Sequence, residues 1–120
     1  MTSITTSIVL YNTPFSEVVY CIELLMQSDS VKKIFIIDNS PSRTEIYNHY
    51  AKVVYIHCAK NIGYGRGHNI AFDNEENDSY YHLVMNTDIT FNQKLLSDLV
   101  KIMESNSNFG LITPTILDSN

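Results

Sequence analysis

Short apolar runs that stop abruptly at polar residues recur along this chain, separated by segments whose apolar residues fall at helical spacing, and this alternation constrains the fold most. The clearest run is YYHLVMNTDITF at 80–91, which reads as a buried parallel strand stopped by Asn86, Thr87 and Asp88 before hydrophobic residues resume. Residues 4–11 (ITTSIVLY), 31–37 (VKKIFII) and 53–57 (VVYIH) read as further strands, and 111–117 as a last one interrupted by Pro114. Between them, 14–27 carries Val18, Val19, Ile22, Leu25 and Met26 on one helical stripe, with Thr13 as its cap and Pro14 in its first turn. Residues 43–50 give a weaker helix and 64–74 a third. Asn92 caps a fourth, in which Leu96, Leu99, Val100 and Met103 line one face. The expected fold class is therefore α/β: a three-layer α/β/α sandwich on a mainly parallel sheet with right-handed crossovers.

A length of 120 residues predicts one domain, 1–120, able to bury a real core. The net charge of -5 excludes a nucleic-acid backbone or an anionic membrane as the main partner, since either needs a basic surface. Cys21 and Cys58 form no metal-like pair, and the N-terminal segment has neither the basic residues nor the long apolar core of a leader. The expected compartment is the cytoplasm, with the full-length protein peripheral at the inner membrane face.

Parallel strands present their C-terminal ends on one edge, where α/β sheets bind ligands. That edge should gather Tyr11 and Asn12, the cluster Asp38-Asn39-Ser40, the loop 61–69 and Asn86-Thr87-Asp88. Asp88 is a carboxylate able to hold a metal, Asp38 a hydrogen-bond acceptor, and Arg66 the one cation of a glycine-rich loop suited to phosphate oxygens. One hard carboxylate with amide oxygens nearby matches Mg²⁺ or Mn²⁺, which keep waters and complete their shell with substrate phosphates. Tyr11 and Tyr64 stand where a ring can stack on a base. The histidines His49, His57, His68 and His82 form no paired ligand set and read as structural or surface residues, with His68 alone placed to touch a phosphate.

The motifs SIVLYN (7–12), IIDNS (36–40), NIGYGRGHNIAF (61–72) and HLVMNTDITF (82–91) resemble, in order and spacing, the family 2 glycosyltransferases of GT-A fold, particularly the bacterial rhamnosyltransferase-like branch. The resemblance covers essentially the whole chain. It implies an inverting enzyme that transfers a sugar from a nucleotide-diphosphate donor to a glycan or lipid-linked acceptor in cell-surface polysaccharide synthesis. By it, Asp88 is the metal-binding aspartate of a DXD-like element, with Asn86 in place of the first aspartate. Asp38 contacts the base or ribose, Tyr11 and Asn12 line the same pocket, and Asn61, Gly63 and Arg66 lie along the nucleotide.

In that family the general base lies well beyond the DXD element, and residues 89–120 offer no carboxylate for the role: Asp98 and Glu104 sit in a helix and Asp118 near the terminus. The expectation is thus the donor half of a glycosyltransferase, binding donor and metal without efficient turnover. Three readings compete. An NAD(P)-binding Rossmann oxidoreductase fits a glycine loop after a strand, although the glycines at 63, 65 and 67 miss the fingerprint spacing. A receiver-like signalling domain needs acidic residues where Tyr11 and Asn12 stand. A non-catalytic interaction module is the third. A sheet edge at 111–117 is also expected to pair with a second copy.

Overall fold

The computed structural model describes residues 2–118; Met1, Ser119 and Asn120, at the ends of the expected 1–120 domain, lie outside the described residues. The first strand, β1 (Ile4–Leu10), leads to helix α1 (Phe15–Met26), then β2 (Val31–Asp38) and a 3₁₀ turn (Ile46–His49). β3 (Val53–His57), α2 (Tyr64–Asp73), β4 (Tyr81–Val84) and α3 (Lys94–Ser105) follow. The chain divides after Thr90 into two compact units. The first holds the whole sheet, with α1 and α2, and the second holds α3.

The sheet is four-stranded in the order β3-β2-β1-β4, and every pairing is parallel, as the strand-helix alternation requires. Register aligns Leu10 with Asp38, and Asp38 with His57, so the polar residues that end the strands share one edge. Side chains alternate across the sheet. Phe35 and Ile37 of β2 pack with Ala71 of α2, beside Val9, Val54 and Ile56. Ile8, Ile34 and Ile36 point to the other face, where Val18, Ile22 and Leu25 of α1 are fully buried. Each such side chain contributes about 1.5–3 kcal/mol of burial, and together they hold the three layers.

Several elements differ from the sequence reading. Pro14, extended at ψ 144°, stands at the helix boundary itself, and Thr13 makes no bond to the first turn of α1; its hydroxyl instead reaches the carbonyl of Tyr11 at 3.4 Å. The weak helix of 43–50 contracts to the 3₁₀ turn. β4 is an edge strand rather than a buried one: its residues are half-buried and Val84 is 44% exposed. Residues 111–117 form no strand, because Pro114 has no N–H to donate and Leu111, Ile116 and Leu117 stand exposed. No sheet edge exists there for a second copy to extend. In the second unit Gln93 stands at the boundary of α3, one residue after the expected cap, while Asn92 Oδ1 accepts the Lys94 N–H at 2.8 Å; Leu96 is the buried position of α3. Among the described residues no helix is long and apolar enough to cross a membrane.

Gly67 fixes how closely α2 lies on β1. A Cβ there would meet the two Cγ atoms of Val9 at 2.8 and 3.0 Å, and a β-branched side chain in a strand has little room to turn away. Gly67→Ala gains helix propensity but overpacks this contact; we expect a net loss of about 1–2 kcal/mol in urea unfolding. An unchanged or raised midpoint would show that α2 does not depend on the contact.

Candidate functional site

The strand ends are stitched to one another by single side chains. From the end of β1, the backbone N–H of Asn12 donates to Ser40 Oγ at 2.7 Å, just beyond β2. Asn12 takes φ 51°, a left-handed conformation that asparagine tolerates better than most residues. Beyond β2, Asn39 is buried and donates from Nδ2 to the carbonyl of Gly63 at 3.2 Å, tying β2 to the loop before α2. From α2, the Tyr64 hydroxyl donates to Asn86 Oδ1 at the end of β4. β3 joins through His57 Nε2, which donates to the carbonyl of Ser40 at 2.8 Å.

Asp38 is the buried charge of this edge, at 4% exposure. Its Oδ2 accepts the Tyr55 hydroxyl at 2.6 Å and its Oδ1 the backbone N–H of Ser40 at 3.0 Å. A carboxylate has about four acceptor positions, so two remain. Burial and then this hydrogen bond push Tyr55 up to about 12, which keeps its proton on the phenol. A cavity of about 200 Å³ opens beside it, with Leu10, Phe15, Ile46 and Tyr47 as apolar lining and Thr13, Ser40, Ser42 and Thr44 supplying polar atoms. Tyr47 stacks on Tyr55 at 5.5 Å between centroids and meets Phe15 at 5.7 Å, so the aromatic side of the lining packs ring on ring. Of the residues chosen from sequence, Asp38 lines this cavity; Tyr11 and Asn12 adjoin it, and Tyr11 is half exposed.

The remaining residues lie on the loop, on α2 and at the end of β4. Asn61 Oδ1 accepts the N–H of Gly63 at 3.0 Å, closing a turn in which Gly63 takes φ 94°, a conformation open to glycine at no steric cost. Among the described residues no side chain caps α2, so the N–H groups of its first turn, from Tyr64 onward, have no side-chain acceptor. Arg66 is exposed and holds no ion pair among the described residues. Asn86 and Asp88 are also exposed. Burial, and secondly the charge of Asp88, raise the Tyr64 pKa, so Tyr64 feels that carboxylate. Among the described residues no three His, Cys, Asp or Glu side chains form a metal-holding group. One exposed carboxylate fits Mg²⁺ or Mn²⁺ held largely by water and substrate phosphate, and does not fit a closed structural site.

With this edge described, comparison with known proteins decides the family: the model for glycosyl transferase family 2 matches residues 6–118. The chain belongs to glycosyl transferase family 2. A search of curated proteins found no match. Membership implies a nucleotide-sugar donor and an acceptor, and family 2 enzymes often use a divalent metal. The all-parallel sheet with helices agrees with the Rossmann-like half of a GT-A fold.

Sequence reasoning missed the residues that hold the edge together. The sequence marks Tyr55 only as a strand residue and Asn39 only as part of a polar cluster. His68 takes the structural role read for the histidines as a group: it is 4% exposed, and its Nδ1 meets Ser7 Oγ at 2.6 Å. Ser7 also meets His82 Nε2 at 2.7 Å. The one available signal was ITTSIVL itself, three hydroxyl residues in a row inside a central strand, which must find partners when buried.

Burial, and then the neighbouring His68, lower the pKa of His82 to about 4 from an ordinary 6.5, and burial lowers that of His68. Between those values the unfolded chain binds more protons than the folded one, so stability rises with pH. We expect the melting temperature to fall as pH drops from about 6.5 towards 4, and His82→Phe to flatten part of that slope. A melting temperature independent of pH across this window would contradict the buried neutral pair.

Proposed function

We propose that this edge binds the nucleotide-diphosphate sugar of an inverting glycosyl transfer, with the base or ribose at Asp38 and the diphosphate towards α2 and Asp88. The observation that carries the reading is the stitched strand-end edge, which presents a buried carboxylate beside a cavity, uncapped helix N–H groups, a free guanidinium and an exposed carboxylate within one family 2 chain. The two free acceptor positions of Asp38 suit a ring N–H or a ribose hydroxyl, and Tyr11 and Asn12 border the same ligand. Asn61 and Gly63 shape the turn so that the chain approaches the nucleotide closely. The N–H groups of α2 and Arg66 favour the negative diphosphate. Asp88 would hold Mg²⁺ or Mn²⁺, with Asn86 beside it.

When bound, the metal neutralises charge developing on the departing diphosphate. The chain's own part is to orient the donor and supply fixed dipoles where that charge appears. We assign the acceptor's general base to none of the described carboxylates. The further reading is a rhamnosyltransferase-like enzyme of bacterial cell-surface polysaccharide synthesis, working in the cytoplasm at the inner membrane face on a glycan or lipid-linked acceptor. It rests on the motif resemblance. An NAD(P) oxidoreductase is not favoured, since the glycine loop follows β3 and its glycines are out of the fingerprint spacing.

Titration calorimetry with UDP, dTDP, GDP and NAD, with and without Mn²⁺, tests this. One nucleoside diphosphate should bind in a metal-dependent way. Asp88→Ala should lose about tenfold or more of that affinity, since even outer-sphere partners of a metal are worth this much. Asp38→Asn should weaken binding about tenfold to a hundredfold with or without metal, as expected for a hydrogen bond to a charged group. Metal-independent binding of NAD, or nucleotide binding indifferent to both changes, would overturn the proposal.

A further inference from the structure

The buried polar cluster of β1 has a direction that can be deduced bond by bond. Asn77 Nδ2 donates to the carbonyl of Ala71 at 2.9 Å, which fixes its amide so that Oδ1 is an acceptor. Thr5 Oγ1 lies 2.6 Å from that Oδ1 and must donate to it. The Thr5 proton is then spent, so His82 Nδ1, 2.8 Å away, must donate to Thr5. With Nδ1 protonated, the Asn77 amide nitrogen 3.3 Å away faces it donor to donor, so that longer approach is a contact and not a second hydrogen bond.

Both imidazoles are neutral near pH 7, because burial holds each below its ordinary value. His82 Nε2 is therefore bare and takes the Ser7 proton across 2.7 Å. Ser7 Oγ in turn accepts from His68 Nδ1–H across 2.6 Å. His68 Nε2 is left bare, buried and without a partner among the described residues. It can donate to nothing on that side, which excludes it as a phosphate donor. What its ring does meet is Tyr64, edge to face at 4.4 Å between centroids, and the Tyr64 hydroxyl holds Asn86.

We propose that His68 is a positioning residue for the donor site: held as its Nδ1–H tautomer by a one-way chain through Ser7, His82 and Thr5 to Asn77, it seats the Tyr64 ring and so sets where Tyr64 holds Asn86. The inference rests on the donor-site reading above for its functional consequence, but not for its structural part. The chain links β1, β4 and α2, so the turn that carries Asp88 is oriented from the opposite end of the sheet.

Three measurements test it on the whole chain. Long-range ¹H–¹⁵N spectra report which ring nitrogens carry protons; His68 and His82 should both be protonated at Nδ1 alone, and an Nε2–H on either would overturn the proposal without any variant. In ¹⁵N spectra the Asn86 side-chain amide should move in His68→Leu to nearly the position it takes in Tyr64→Phe, and an unmoved amide would also overturn it. Where Mn²⁺-dependent binding of a nucleoside diphosphate is found, each variant should weaken it about threefold to tenfold, and the double variant no further than Tyr64→Phe alone, as expected for residues acting in series. Additive losses would refute action through Tyr64. A wild-type chain that binds no nucleoside diphosphate would sink the donor-site reading and its functional consequence, while the tautomers and the Asn86 amide still decide the structural link.

Discussion

The parallel pairing of β1 with a strand on each side is the constraint on which the rest depends. It brings the end of β2 to one flank of β1 and the end of β4 to the other, so polar clusters distant in sequence come to a single edge. Pairing alone leaves those ends as separate loops. The bonds from Asn12 to Ser40, Asn39 to Gly63 and Tyr64 to Asn86 turn them into one surface, each crossing between neighbouring elements. A site built this way is preorganised by side chains that need not touch a ligand themselves.

β1 carries an unusual load for a central strand. Thr5, Thr6 and Ser7 are all fully buried, where an unpaired hydroxyl costs about 1–3 kcal/mol. Thr6 Oγ1 donates to the carbonyl of Leu83 at 2.9 Å, while Thr5 and Ser7 enter the histidine chain on the other face. These bonds hold β4 to β1 where hydrophobic burial is weakest, since β4 is a half-buried edge strand. The polar run therefore substitutes directional bonds for apolar contact at the sheet's least protected pairing.

The strand-helix alternation was legible in the sequence because it rests on periodicity, and the ends of β2 and β3 were read to within a residue. The same holds for the gathering of Asp38, Asn86 and Asp88 on one edge, which follows from parallel topology. Illegible were features that need partners far along the chain. Nothing local announces that Tyr55 will reach Asp38, that Asn39 will hold the carbonyl of Gly63, or that two histidines will share Ser7. Residues 111–117 misled for the opposite reason: the apolar pattern is local and real, but Pro114 denies the run the ladder bonds of a strand, and the pattern alone does not register that loss.

The central claim is that the Asp88 turn and the Asp38 cavity belong to one nucleotide site. Paramagnetic broadening of amide resonances by Mn²⁺, recorded on the ¹⁵N-labelled chain with and without a nucleoside diphosphate, tests this directly. The account predicts that broadening centred on residues 86–88 and the first turn of α2 strengthens sharply when nucleotide is added, while the resonances of 38–40 shift in the same titration. Broadening that ignores the nucleotide and falls instead on the acidic surface around Glu75, Glu76 and Asp78 would contradict it.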